Sequence, residues 1–180
     1  IPNLIPLGTL VRVLSHLLRE GVPIRDLRTI LETIADHAAT TKDADILTEV
    51  ARQALGRTIT KQYLAPDGSL PIIGLDPRLD RTLADQANAA GQGTQWVPDP
   101  LVAQKLLTAL KAAAERMVGR GHQPVILCSP SLRRHLRKLT DRILHSVPIL
   151  GLNEVESVTR LQAVETVRLD LEVGETRSLA

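Results

Sequence analysis

The sequence is almost free of aromatic side chains. None of its 180 residues is phenylalanine, and Tyr63 and Trp96 make up the whole 1% of Phe, Trp and Tyr. Leu, Ile, Val and Ala must therefore fill any core. The aromatic platforms on which many proteins stack nucleic-acid bases are nearly excluded.

Cysteine and long apolar runs are also scarce. Cys128 is the only cysteine, so no internal disulfide can form, and its place in the apolar run 125–128 predicts a small buried hydrophobe in a reducing cytosol. No run approaches the roughly 20 apolar residues that cross a bilayer. The first residues do not resemble a signal peptide. Because the chain begins with Ile1 rather than methionine, we expect a piece of a longer protein.

The motifs of common catalytic and ligand-binding sites are missing as well. The five histidines lack the spacing of a zinc-binding helix. Gly91-Gln92-Gly93 lacks the third glycine of a dinucleotide fingerprint. Ser129 has no nucleophile-elbow motif around it. We therefore predict a protein that is not an enzyme, with no catalytic, cofactor-binding or metal-binding residue.

The charge is balanced overall but uneven along the chain. Lys and Arg number 22 against 20 Asp and Glu, which gives a net charge of +2. Residues 120–145 carry six basic side chains against Asp141 alone, whereas residues 153–180 carry six acidic and three basic ones. The sequence therefore contains one basic and one acidic region that are able to meet within the chain or between copies.

The pattern of residues 1–68 predicts a subdomain of three amphipathic helices. The first helix ends at Glu20-Gly21-Val22-Pro23, where Gly suits a helix end and Pro cannot continue it. The second covers 24–38. The third is expected to begin after Thr40 as N-cap, with Asp43 three residues later in a variant of the capping box, and its apolar face extends to Ile59.

The second predicted helix carries a dense charged face. Its charged side chains lie opposite the apolar stripe, at Arg25, Arg28, Glu32 and Asp36. The pair Arg28 and Glu32, four residues apart, is attractive, but Glu32 and Asp36 repel each other at the same spacing, so the row does not simply neutralise itself. Two interpretations remain open: an ordinary solvated face, or a polar surface that contacts another protein.

Residues 69–180 predict a small α/β subdomain with about four strands. Short apolar runs at 70–75, 125–128 and 147–150 indicate buried strands. The alternation of apolar and charged residues over 167–173 indicates a strand with one solvent-exposed face. Three helices are expected to begin where a capping side chain precedes a proline, at Asp76-Pro77, Asp99-Pro100 and Ser129-Pro130. The fold class is therefore α+β, with helices first and an α/β part second.

The helix expected over residues 130–143 is strongly basic. Its apolar stripe is predicted at Leu132, Leu136, Leu139 and Ile143. The remaining faces would then present five basic side chains, Arg133, Arg134, Arg137, Lys138 and Arg142. A solvated face, a protein contact and binding to nucleic-acid phosphates all remain possible for such a surface. A nucleic-acid-binding module is the alternative function that the residues allow.

Beyond these patterns, several segments resemble one known family. The stretches 18–32, 41–49 and 54–60, followed in the same order by 73–76 and 125–137, resemble the cytoplasmic region of the type III protein export-gate family. The resemblance covers roughly residues 4–170. The sequence Ala-Leu-Gly-Arg-Thr-Ile at 54–59 favours the flagellar branch over the virulence-secretion branch.

This resemblance implies a function without catalysis. Residues 1–68 resemble the third cytoplasmic subdomain of such a gate and residues 69–180 the fourth. The family implies partners of three kinds: other copies of the protein in a nonameric ring, complexes of export chaperones with their substrates, and other export-apparatus proteins. It also implies a position at the cytoplasmic face of the bacterial inner membrane, no cofactor, and no nucleic-acid partner.

Overall fold

Four helices form the first part of the chain in the computed structural model, which describes residues 5–90 and 96–170. They are α1 (Leu7–Arg19), α2 (Leu27–His37), α3 (Ala44–Ala54) and α4 (Gly56–Lys61). As predicted, α1 ends at a glycine. Gly21 has a φ of +69°, and Val22 N donates to Leu17 O at 2.9 Å, which is the closure that a left-handed glycine allows.

Two details of the predicted helices are wrong. Asp43, not Thr40, is the N-cap of α3, and its Oδ1 accepts from Asp45 N at 2.8 Å. Thr40 instead belongs to the turn that closes α2, where its N–H donates to His37 O. The third predicted helix is two helices that meet at Leu55, whose ψ of 6° departs from helical values. Their continuous apolar face hid this break.

The second part of the chain forms a four-stranded parallel sheet with three helices. The strands are β1 (Leu70–Leu75), β2 (Ile126–Cys128), β3 (Ile149–Gly151) and β4 (Leu161–Val167), in the order β3-β2-β1-β4. The helices are α5 (Pro77–Ala89), α6 (Pro100–Gly119) and α7 (Pro130–Thr140), and a short 3-10 helix (Leu152–Glu154) follows β3. The predicted α+β class is confirmed.

The fourth strand lies earlier than predicted. The alternation over 167–173 placed it there, but β4 ends at Val167, and residues 171–173 lie outside the described part of the chain. β4 is an edge strand, paired only with β1, and its first three residues are exposed. Because six of the seven residues of β4 are exposed or half-buried, its sequence lacks the apolar pattern that marks a core strand.

The three helix starts predicted from a capping side chain before a proline are correct, but one of the three caps is not. Asp76 Oδ1 accepts from Arg78 N at 3.0 Å, and Asp99 Oδ1 accepts from Leu101 N at 2.9 Å. Ser129 occupies the corresponding position before α7, but its hydroxyl makes no cap bond and has no partner among the described residues. Its backbone N–H donates to Asp80 Oδ1 at 3.0 Å.

Each face of the sheet carries its own apolar core. One face packs against α1 to α4, through Leu70, Ile72, Val125, Leu127 and Leu150. The opposite face packs against α5 to α7, through Ile73, Ile126, Cys128, Ile149 and Val167. The sheet is therefore the middle of three layers. As expected, Cys128 is buried, and burial raises the pKa of its thiol. The division into subdomains at residues 68 and 69 stays a prediction.

None of the helices within residues 5–90 and 96–170 combines the length and hydropathy that crossing a bilayer requires.

Candidate interaction sites

The charged face of α2 is a solvent-exposed surface. Arg25, Arg28, Glu32 and Asp36 are all exposed, and Arg28 Nε donates to Glu32 Oε1 at 2.8 Å. The predicted helix start at residue 24 is wrong, because α2 begins after the N-cap Asp26, so Arg25 lies just before the helix. Because the Arg28 and Glu32 side chains are 86% and 62% exposed, their pair contributes little to stability. We call these four residues the α2 charged face.

The start of α2 is fixed by a local cap. Asp26 accepts from the Thr29 hydroxyl at 2.7 Å and from Thr29 N at 3.1 Å. These two hydrogen bonds lower the pKa of Asp26. On the opposite side of α2, Ile30 and Ile34 are fully buried. The helix is therefore anchored by its apolar stripe and by its cap.

The basic helix is not the exposed surface that its sequence predicts. Arg133 is 2% exposed. Its guanidinium donates to Glu20 Oε2 at 2.6 Å, to Glu49 Oε2 at 2.6 Å and to the second oxygen of each carboxylate. Burial opposes the charged form of Arg133, but the bonds to Glu49 and Glu20 outweigh it and raise the pKa.

Arg137 is also inside the protein. It is 9% exposed and donates to Val147 O at 2.9 Å and to Leu144 O at 3.1 Å. Burial lowers its pKa. The predicted stripe is wrong at its end, because α7 stops at Thr140 and Ile143 is 52% exposed. Of the three candidate residues on α7, only Arg134 keeps partial exposure.

A second buried arginine extends this cluster. Arg52 on α3 is 2% exposed, and it donates to Glu154 Oε1 at 2.6 Å and Oε2 at 3.2 Å. Arg52 Nη1 also donates to Glu20 Oε2 at 3.3 Å, so Glu20 bridges Arg52 and Arg133. Burial raises the pKa of Glu20, but the two guanidinium groups outweigh burial, and the net shift is downward. We call Glu20, Glu49, Arg52, Arg133 and Glu154 the ion cluster.

A cleft of about 520 Å³ opens beside the ion cluster, between α1, α3 and α7. Its walls carry side chains of both charge signs, among them His16, Arg19, Asp45, Arg134, Lys138 and Asp141. We call it the α1/α3/α7 cleft. Its size is within the range of protein ligand sites, and its polar walls suit a charged partner.

Comparison with known proteins decides the family. The model of the FHIPEP family matches residues 1–160. The chain belongs to the FHIPEP family. This finding confirms the export-gate resemblance of the sequence.

Curated relatives of this FHIPEP chain are flagellar proteins. It is 38% identical over 167 residues to the flagellar biosynthesis protein FlhA of Salmonella typhimurium, covering 93% of this chain and 23% of that protein. It is 32% identical over 166 residues to FlhA of Bacillus subtilis, covering 92% and 24%. The chain thus spans about a quarter of the length of these relatives.

Solved relatives share the fold. The Chlamydia pneumoniae CdsV protein superposes with a TM-score of 0.83 at 26% identity, over 93% of this chain and 48% of that one. The nonameric EscV cytosolic domain of a type III secretion system gives a TM-score of 0.69 at 32% identity, over 89% and 47%. Nonameric SctV-C from EPEC gives 0.79 at 28%, over 92% and 50%.

The ion cluster joins segments of the FHIPEP chain that are far apart in sequence. Glu20 lies in the stretch 18–32, Glu49 in 41–49 and Arg133 in 125–137, three stretches that carry the family resemblance. The structure brings them within hydrogen-bond distance of one another. In this FHIPEP chain, those stretches therefore hold α1, α3 and α7 together.

Sequence reasoning missed most of the ion cluster, although one signal was available. Arg52 follows Ala44 and Thr48 at four-residue intervals, and both of these are buried. An arginine on that face is expected to be buried and paired. No local signal marks Glu154, whose partner Arg52 lies 102 residues away in sequence.

Proposed function

We propose that this chain is a module of a type III protein export gate of the flagellar branch, and that it acts by assembly and docking rather than by catalysis. The observation that carries the proposal is the match over 93% of the chain to a flagellar biosynthesis protein. The folds of the nonameric EscV and SctV-C domains support the same role. The gate would place the chain at the cytoplasmic face of the inner membrane.

Other copies of the chain are the first proposed partner. Two solved relatives are described as nonamers, and the α2 charged face is an exposed polar surface. A ring needs a heterologous contact, in which one face of a copy meets a different face of the next. Polar faces serve such a contact without the apolar patch that causes a free copy to aggregate.

Export components are the second proposed class of partner. One solved relative is described as a complex of CdsV with CdsO, and this chain superposes on that CdsV with a TM-score of 0.81 at 26% identity. In this proposal residues 1–68 contribute mainly to contacts between copies. Residues 69–180 would meet chaperone–substrate complexes and other proteins of the export apparatus.

A segment exchange tests the gate role. The matching stretch of Salmonella FlhA is replaced by this chain, and swimming and secretion of flagellar proteins are measured. The matched control carries the corresponding stretch of Bacillus FlhA, which is a relative of this chain at 32% identity. We expect both exchanges to support export. Export with the Bacillus stretch and none with an equally abundant chimera of this chain would refute the proposal.

Charge reversal tests the α2 charged face. Arg25→Glu with Arg28→Glu in the chimera should reduce ring assembly and secretion, because it inverts the potential that meets the neighbouring copy. The control is the same double reversal on α5, at Arg78 and Arg81, which are also exposed. Ring assembly that is equally unaffected by both reversals would remove α2 from the contact.

The basic surface that nucleic-acid binding would need is largely buried. Such binding requires Arg133, Arg134 and Arg137 together on an exposed helix face. Two of these three are buried, and Arg133 is neutralised by two carboxylates. Lys138, the next cation on α7, is paired with Asp45 at 2.5 Å. Salt-dependent binding to an unrelated duplex that is abolished by Arg134→Gln would be needed to restore this function.

A further inference from the structure

Two exposed ion pairs span the α1/α3/α7 cleft. Lys138 Nζ on α7 lies 2.5 Å from Asp45 Oδ2 on α3, and Arg19 Nη2 on α1 lies 3.3 Å from Asp141 Oδ2, just after α7. The four side chains are between 31% and 70% exposed. Ion pairs with this much exposure contribute little to stability, so a carboxylate from outside is able to displace Asp45 or Asp141.

Both carboxylates have a second basic side chain near them within the cleft. Asp45 Oδ1 lies 3.6 Å from His16 Nδ1. Asp141 Oδ1 lies 3.8 Å from Nε of Arg137, and this buried Nε has no hydrogen-bond partner among the described residues. Displacement from Lys138 and Arg19 therefore leaves Asp141 beside the Arg137 guanidinium and Asp45 beside the His16 imidazole, which carries a charge only when protonated. For Asp141 it offers an acceptor to a buried donor that otherwise lacks one.

The cleft also contains a cation that has no carboxylate partner. Within residues 5–90 and 96–170, no Asp or Glu lies within 4.0 Å of the Arg134 guanidinium, and its Nε contacts His135 Nε2 at 3.2 Å. By contrast Arg133, one residue earlier, is held by Glu20 and Glu49. Arg134 thus remains available to an acidic group that enters the cleft.

We propose that the α1/α3/α7 cleft binds an acidic segment of a partner protein. Two carboxylates of that segment replace Asp45 at Lys138 and Asp141 at Arg19, and a third meets Arg134. The site follows from the geometry of this chain alone, but its assignment to a component of the export apparatus rests on the proposed function. The proposal deepens that function by naming the chemistry that one docking site recognises.

A peptide of defined charge tests the site. Fluorescein-labelled (Glu-Ala)₅ is titrated with the 180-residue chain at low salt, binding is followed by fluorescence anisotropy, and labelled (Lys-Ala)₅ serves as the opposite charge. Only the acidic peptide should bind. Lys138→Gln should weaken it about two- to fivefold, the range of a partly exposed ion pair. Lys111→Gln, at an exposed lysine on α6 outside the cleft, is the matched control and should have a smaller effect.

Removal of the internal competitor gives a prediction of opposite sign. Asp45→Asn frees Lys138 and should tighten binding of (Glu-Ala)₅ about two- to fivefold. Asp85→Asn removes an equal charge from an exposed site on α5 outside the cleft and is the control. If each cleft variant changes the affinity no more than its control, the attraction is nonspecific and the proposal is overturned.

Absence of binding by (Glu-Ala)₅ to the folded chain would also overturn it. Circular dichroism establishes folding of every variant before titration. Since peptide binding is measured without an export system, its failure is distinguishable from failure of the gate role. If the chimera supports export but the chain does not bind the peptide, only the proposed cleft site is refuted. If the chain binds the peptide but the chimera does not support export, only the gate role is refuted.

Discussion

Replacement of Gly56 by alanine should loosen the joint between α4 and the 3-10 helix. A Cβ at Gly56 would lie 2.4 Å from the carbonyl oxygen of Glu154, whereas ordinary contacts begin near 3.4 Å. The two backbones must therefore separate by roughly 1 Å, and overpacking of this kind costs about 1–3 kcal/mol. The same carbonyl accepts from Thr60 Oγ1 at 3.1 Å, and the Glu154 carboxylate holds Arg52. Separation therefore weakens these hydrogen bonds as well.

The expected loss is about 2 kcal/mol of unfolding free energy, since alanine regains part of the cost through its better helix propensity. Urea denaturation followed by circular dichroism measures it, and a chain of this length should lose about 4–8 °C of melting temperature. Gly119→Ala is the matched control, because Gly119 is also helical and a Cβ there meets nothing within 4 Å. A Gly56→Ala variant within about 0.5 kcal/mol of the unchanged chain would refute the steric argument.

Three further predictions concern the charged groups. Glu154→Gln should lower the unfolding free energy by about 3 kcal/mol in urea denaturation, because the buried Arg52 loses one of the two carboxylates that pair with it among the described residues. Glu20 has a lowered pKa in the folded chain, so its contribution is full above its ordinary pKa of 4.5 and is lost as pH falls through the folded value. Denaturation from pH 6 to pH 3 should show a smaller loss in Glu20→Gln, and an unchanged slope would contradict this. A double-mutant cycle of Arg28→Ala and Glu32→Ala should give a coupling of only about 0.3–0.5 kcal/mol, and a value above roughly 1.5 kcal/mol would show a structural role for the α2 charged face.

The elements that were predictable from sequence are those with a local cause. Asp76 and Asp99 each precede a proline at the first helical position, and both cap their helices. Gly21 closes α1 for the same kind of local reason. By contrast β4 is defined by its pairing with β1, from Leu70 opposite Leu161 onward, and its own residues carry no core pattern. An exposed edge strand such as β4 is recognised from its backbone pairing and not from a hydrophobic periodicity in its sequence.

Of the candidate interaction surfaces, the sequence predicts the α2 charged face but not the ion cluster. Arg25 precedes α2, and the exposure of Arg28, Glu32 and Asp36 follows from helix periodicity within a single element. The burial of Arg133 does not, because the carboxylates that neutralise it come from Glu20 and Glu49, 113 and 84 residues away. The sequence of α7 alone does not distinguish an exposed basic helix from one whose arginines are neutralised by distant carboxylates. The sequence offers the acidic region at 153–180 as a counter-charge for the basic helix, whereas Glu20, just after α1, and Glu49 on α3 neutralise Arg133.

The ion cluster explains how the first helical layer keeps a fixed position on the sheet. Apolar contact with Leu70, Ile72 and Leu150 supplies the burial, but aliphatic surfaces tolerate sliding and repacking. Arg52 and Arg133 add directional bonds, and both donate to the carbonyl oxygen of Ile149 on β3, at 3.3 and 3.4 Å. Buried ion pairs are weak evidence for added stability, and we infer that these directional bonds instead fix one alignment of the helices on the sheet. Because α1, α3 and α7 all contribute to that alignment, it also sets the width of the α1/α3/α7 cleft. A shift of the helices against the sheet would therefore change the shape of the surface that a bound partner contacts.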